Sequence, residues 1–207
     1  MGFSTLIDIV GSIIIGGFLL LLLWRIDDSA VKNVYNGSEE LILQRNLTTS
    51  AEILEKDFRR IGYCQNYNIA LADTTSNIVL ATDTCISFKT DVYDVGKMDT
   101  LKYYIGPASE LASTPNPNDR YLYRVVNNDI PVGVNLGVTN FRLVYFNFQG
   151  DTLSPPIANK KLIANVEINI AVENVEGYGG DSPSESIDKY STAYWRQIKI
   201  SAMNKIR

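Results

Sequence analysis

The sequence predicts an α+β protein in which a long helix comes first and a β body follows. Three observations carry this. Residues 3–24 form an almost unbroken apolar run, residues 38–61 repeat apolar side chains at helical spacing, and from Cys64 onward the period drops to two. The chain divides accordingly into a hydrophobic transmembrane or assembly helix over 1–35, an amphipathic helix over 36–62 that packs on the body, and a β-rich body over 63–207.

The first run reads FSTLIDIVGSIIIGGFLLLLLW. As a helix it is roughly 33 Å long, about the thickness of a bilayer's hydrocarbon. No base precedes Arg25, which is followed by Ile26, Asp27 and Asp28, so the run is not read as a cleavable secretory signal. Leu6 stands where myristoylation after Met1-Gly2 needs Ser or Thr. Asp8 is the one charge before Arg25. An acid in such a segment either snorkels toward the headgroups or meets a positive group on a partner.

The second run carries Leu43, Leu47, Ala51, Leu54, Phe58 and Ile61 on one stripe, with Arg45, Asn46, Ser50, Glu52, Glu55, Lys56 and Arg59 expected opposite. Ser38 is placed as its cap, ahead of Glu39 and Glu40, and Gly62 ends it after Arg59 and Arg60. Asn36-Gly37 predicts a kink or a short melted stretch between the two helical runs.

Strands are expected at about 77–82, 85–93, 100–106, 120–126, 138–148, 162–173 and 193–203. The clearest alternates Val166, Ile168, Ile170 and Val172, facing inward, with Glu167, Asn169, Ala171 and Glu173, facing water. Short connections favour antiparallel pairing. Stretches 111–119 and 176–188 read as loops, and Gly177-Tyr178-Gly179-Gly180 lacks the strand, helix and Lys of a phosphate cradle. Asp181, Glu185 and Asp188 do not match a calcium-loop spacing.

Composition removes several functions. The chain has no His, so His-based triads, His zinc sites and His-ligated haem are impossible, and no catalytic residue, metal site or cofactor is nominated. A net charge of -4 with scattered bases leaves no footprint for nucleic acid. Cys64 and Cys85 form no CxxC pair. Outside the cytosol they are expected to form a disulfide tying the helix end to the sheet; the alternative is two buried thiols.

The order of parts resembles a type IV prepilin or pseudopilin. The resemblance rests on Gly2-Phe3 followed by Ser4-Thr5-Leu6-Ile7-Asp8, on the helix end from Leu54 to Tyr63, on Phe141 to Phe146 with Gln149-Gly150, and on the strand from Trp195 to Arg207. The last three are most similar to the J-type minor pseudopilin of type II secretion and to W-type minor pilins. The resemblance implies cleavage and methylation by a prepilin peptidase between Gly2 and Phe3. It implies assembly through the N-terminal helix, in which an early acid meets a neighbour's amine; Asp8, sixth counting from Phe3, takes that part where the family pattern has the fifth. Implied partners are other pilin or pseudopilin subunits, the peptidase, an inner-membrane assembly platform and membrane lipid. The implied location is the bacterial inner membrane, with a single span and the body periplasmic or extracellular. The alternatives are an anchored β-domain binding module or envelope-complex subunit that never polymerises, and a carboxylate-based envelope hydrolase for which no acid pair is evident.

Overall fold

A computed structural model describes residues 2–66, 68–69, 76–175, 190 and 192–201. One helix, α1 (Gly2–Arg59), precedes nine strands: β1 (Ile78–Ala81), β2 (Cys85–Thr90), β3 (Asp99–Ile105), β4 (Leu122–Val126), β5 (Val132–Val134), β6 (Val138–Phe146), β7 (Thr152–Leu153), β8 (Asn165–Glu173) and β9 (Thr192–Ser201). They form two sheets, ordered β1-β2-β3-β4-β5 and β7-β6-β8-β9, and every pairing is antiparallel. The α+β reading with a leading helix is therefore met, although the body holds two sheets rather than one. Residues 176–188, with Gly177 to Gly180 and Asp181, Glu185 and Asp188, lie outside the described residues, as do the last two residues of the strand expected at 193–203.

The stripe of α1 does what its spacing predicts. Leu43, Ala51, Leu54, Phe58 and Ile61 are buried and Leu47 packs beside them. The helix lies against β8 and β9, and the Phe58 ring meets Phe88 of β2 edge-on at 5.3 Å and Tyr103 of β3 at 5.8 Å. Ser50, expected on the wet face, is only 2 % exposed. It lies three residues after Leu47 and four before Leu54, so it shares their stripe, and its hydroxyl is satisfied by the Asn46 carbonyl at 2.8 Å.

No melted stretch occurs at Asn36-Gly37, because helical hydrogen bonding runs unbroken from Gly2 to Arg59. A glycine inside a helix costs only about 1 kcal/mol relative to Ala, which a long helix absorbs. Ser38 does not cap a new helix; its hydroxyl donates back to the Tyr35 carbonyl at 2.7 Å. Gly62 does end the helix. Its φ of 77° is left-handed, a Cβ there would lie 2.1 Å from Asn77 Nδ2, and its N–H donates to the Lys89 carbonyl at 2.8 Å.

In β8 the inward set Val166, Ile168, Ile170 and Val172 is buried, but the expected wet face is partly covered too, with Glu167 only 4 % exposed and Ala171 buried. The reason is topology: β8 lies inside its sheet between β6 and β9, and Val144 of β6 stands directly across from Glu167. The expected disulfide is not formed; Cys64 and Cys85 are free, half-buried thiols. The chain leaving α1 docks on the far end of β2, where Gly62 bonds Lys89 and the Asp91 N–H bonds the Tyr63 carbonyl. Cys85 begins that strand, four residues back from Lys89, which is about 13 Å and beyond the reach of an S–S bridge. Burial pushes the Cys85 thiol up, against the pull of Lys102.

Candidate assembly surface

Among the described residues, the apolar stretch of α1 over residues 6–24 is covered by no other element of the fold. Its most apolar 18-residue window, within Leu6–Arg59, has a mean hydropathy of 2.6 and none of it is buried. Ile13, Ile15, Phe18, Leu20, Leu23 and Trp24 all stand exposed. An apolar face in contact with water is unstable, and one that runs all round a helix calls for lipid or other helices on every side. The length suits a single membrane-spanning anchor. Gly11, Gly16 and Gly17 leave open space where a Cβ would sit, so another helix has room for close approach there.

Each predicted site residue has a definite place. Gly2 opens α1, so the Gly2–Phe3 bond lies in its first turn; the Phe3 side chain lies outside the described residues. Asp8 is exposed two turns in, and its carbonyl accepts a hydrogen bond from the Ser12 hydroxyl at 2.7 Å. Cys64 and Cys85 are at opposite ends of β2, far from this surface.

The second half of α1 is pinned to the body by polar contacts as well as by its stripe. Asp57 is buried on the body face. The Tyr103 hydroxyl donates to its Oδ2, Arg124 Nε donates to the same oxygen at 2.7 Å, and Arg124 Nε also reaches the Tyr103 oxygen at 3.0 Å. Burial and then the Asp57 charge push the Tyr103 hydroxyl far above the usual phenol range. Burial is the largest single influence on the Arg124 cation and works against it, but the hydrogen bonds to Asp57 and Tyr103 and the charges of both together outweigh it, and the net shift is upward. Three residues on, Arg60 Nη2 donates to the Asp91 carbonyl and to Asp94 Oδ1 at 2.6 Å, with its guanidinium 4.9 Å above the Tyr63 ring.

Asp91 completes the joint. It is fully buried and accepts the N–H groups of Gln65, Val95 and Gly96 at 3.2, 3.1 and 2.7 Å. Burial alone pushes its carboxyl up, but these backbone donors prevail and hold it below the usual value of 3.8. Sequence reading missed Asp57. The available signal was its position three residues after Leu54, which puts a charge on the apolar stripe.

A family model described as Prepilin peptidase-dependent protein B, PpdB, matches residues 36–170, well over half of the chain. The chain belongs to the PpdB family. The match covers the amphipathic half of α1 and most of the β body, so the pilin-like arrangement of helix and antiparallel sheets agrees with it. Membership in this pseudopilin family is consistent with a structural, non-enzymatic subunit, and among the described residues no group of three or more Cys, Asp or Glu is disposed to hold a metal ion. No curated protein matches the chain significantly.

Proposed function

We propose that this PpdB-family chain is a minor pilin or pseudopilin, a subunit of a type IV pilus-like filament or of a type II secretion system, most similar to the J-type and W-type minor subunits. The observation that carries the reading is the contrast within α1: a membrane-length, wholly uncovered apolar half continues without a break into a half locked to the body. In the membrane the first half anchors the chain, and in the assembly it exchanges lipid for neighbouring helices. The body stays on the periplasmic or extracellular side. A prepilin peptidase cuts between Gly2 and Phe3 and methylates the new amine, and the assembly platform then draws the subunit in. Asp8, exposed near the helix start, is the acid that meets a neighbour's N-terminal amine.

The test is the mass of the N-terminal peptide from protein recovered from its native membrane, with and without an active prepilin peptidase. A methylated peptide beginning at Phe3, seen only with the peptidase, is the expected result. A peptide that keeps Gly2 in both samples contradicts the reading and leaves a non-polymerising anchored module.

A further inference from the structure

Where β8 ends beside α1, a cavity of about 180 Å³ is lined by Glu39, Ile42 and Asn46 of the helix and by Glu173, Asn174 and Val175. Glu39 and Asn46 are seven residues apart, about two turns, so they share one side of α1 and bound a wall roughly 10 Å tall. Much of the polar lining has no partner. Asn174 is 4 % exposed, yet neither its amide oxygen nor its amide nitrogen has a hydrogen bond. Glu173 Oε2 accepts from the Asn116 and Asn118 amides at 3.0 and 3.3 Å, but neither Glu39 nor Glu173 has an ion pair among the described residues. No Lys or Arg is among the described residues that line the cavity.

Two carboxylates and two side-chain amides around one small cavity favour a cation that donates several hydrogen bonds. A guanidinium is such a cation: it is planar, carries five N–H donors and is more weakly hydrated than an ammonium. Its aliphatic stem would pack on Ile42 and Val175. The volume is below the about 300 Å³ at which small-molecule sites begin, and it suits a single side chain. Lipid amines do not reach it. Glu39 lies 15 residues beyond Trp24, roughly 22 Å along an unbroken helix, whereas the headgroup layer is only about 5 to 8 Å deep.

The helix itself carries the matching group at the matching height. Between Lys32, which pairs with Asp28 at 3.0 Å, and Lys56, the one base of α1 is Arg45. Arg45 is exposed and has no ion pair among the described residues. It stands about 100° round the helix from Asn46, so it faces away from its own cavity. Two copies anchored in one membrane by the same span hold the same residues at the same height, which sets Arg45 of one level with the cavity of the other. We propose that Arg45 of one copy enters the cavity of a second copy, where Glu39, Glu173 and the Asn174 amide receive it. The inference rests on the reading of α1 as a membrane anchor. Donor and acceptor are different patches, so the contact is heterologous, and each pair leaves one cavity and one Arg45 free for further copies.

The test is photo-crosslinking between two preparations of the full chain in phospholipid vesicles. A probe copy carries a photoreactive residue at Ile42, which lines the cavity and is half exposed, and a partner copy is ¹⁵N-labelled so that its peptides are recognised by mass. Adducts are expected on the partner peptide that spans Arg45. Arg45→Glu in the partner copy is expected to lower their yield about tenfold, and the same substitution in the probe copy to leave it unchanged. Asn174→Leu in the probe copy is expected to lower the yield to a similar degree while melting no lower than the parent, since it removes a buried amide without a partner. If Asn174→Leu does not fold, Glu39→Gln takes its place, with the same loss expected. Equal loss whichever copy carries Arg45→Glu overturns the inference, as does no loss from either. If no adduct forms between copies while the native N-terminal peptide begins at methylated Phe3, this contact is overturned and the filament reading stands. If the asymmetric adduct forms but the native peptide keeps Gly2, the contact stands in an anchored, non-polymerising module.

Discussion

Residues 6–24 and residues 43–59 belong to one uninterrupted helix, whose closing turn adds Ile61 to the second stretch, yet their apolar side chains serve different ends. In the second stretch they lie on a stripe, and the stripe is spent on the protein's own core: Leu43, Leu54, Phe58 and Ile61 are buried against two sheets. In the first stretch they cover the whole circumference, and none of the most apolar window is buried. The difference teaches that the pattern of apolar residues, more than their number, decides whether a helix serves its own chain or its surroundings. A stripe fits one partner surface. A continuous coat fits only a medium, or a bundle of like helices, that meets it on every side.

Paired truncations on the two halves break this comparison most sharply. Phe58→Ala removes the ring that meets Phe88 and Tyr103 and is expected to cost the body about 3 to 5 kcal/mol in denaturant unfolding. Leu20→Ala, which removes an equally apolar but exposed side chain, is expected to change the same unfolding curve by less than about 0.5 kcal/mol. A comparable loss from both substitutions contradicts the division of the helix.

The polar joint comes next. Asp57→Ala strands the Tyr103 hydroxyl and the Arg124 guanidinium, and because the Arg124 side chain is 36 % exposed the loss is expected at about 2 kcal/mol rather than that of a fully buried pair. Adding Arg124→Met is expected to recover part of it. A double-mutant cycle with no coupling between the two sites shows that the joint is passive.

Asp91→Ala is expected to cost about 1 to 2 kcal/mol near neutral pH, through the loss of three backbone hydrogen bonds. Its sign with pH is fixed. The folded protein holds this carboxyl below its usual value of 3.8, so the stability it supplies is present above that value and is lost as pH falls through the lower folded one. The gap between parent and variant is therefore expected to be flat from neutral pH down to about 5 and to narrow below 4. A gap that widens on acidification contradicts the assignment. The smallest effect is that of Gly37→Ala, where nothing lies within 4 Å of an added Cβ; it is expected to raise helix stability by at most about 1 kcal/mol, read by hydrogen exchange at residues 33–41.

Much of this architecture was legible because periodicity reports burial directly. The stripe from Leu43 to Ile61 and the seven long strand segments were each marked by spacing that a packed core imposes. The two missed strands, Val132–Val134 and Thr152–Leu153, are three and two residues long and sit at sheet edges, too short to show a period. Ser50 and Asp57 were misplaced or passed over because residue type argued for water while position argued for the core. Their partners, the Asn46 carbonyl and the Tyr103–Arg124 pair, are visible only in three dimensions. The disulfide failed for a similar reason: two cysteines 21 positions apart are compatible with a bridge until the register of the helix end on β2 is known. Of the sequence-nominated sites, Gly2 and Asp8 lie on the uncovered helix, where their roles depend on other molecules and not on the fold.

The central claim, that one half of α1 serves the assembly and the other the body, is tested most directly by photo-crosslinking in the native membrane. A photoreactive residue is placed at Ile15 in one protein and at Ile53 in another; both positions are exposed in the isolated chain. Adducts at Ile15 are expected to contain the N-terminal helix peptide of a second pilin-like subunit, identified by mass spectrometry, and adducts at Ile53 are not. Adducts at Ile15 with lipid alone, or with the chain's own β body, contradict the account.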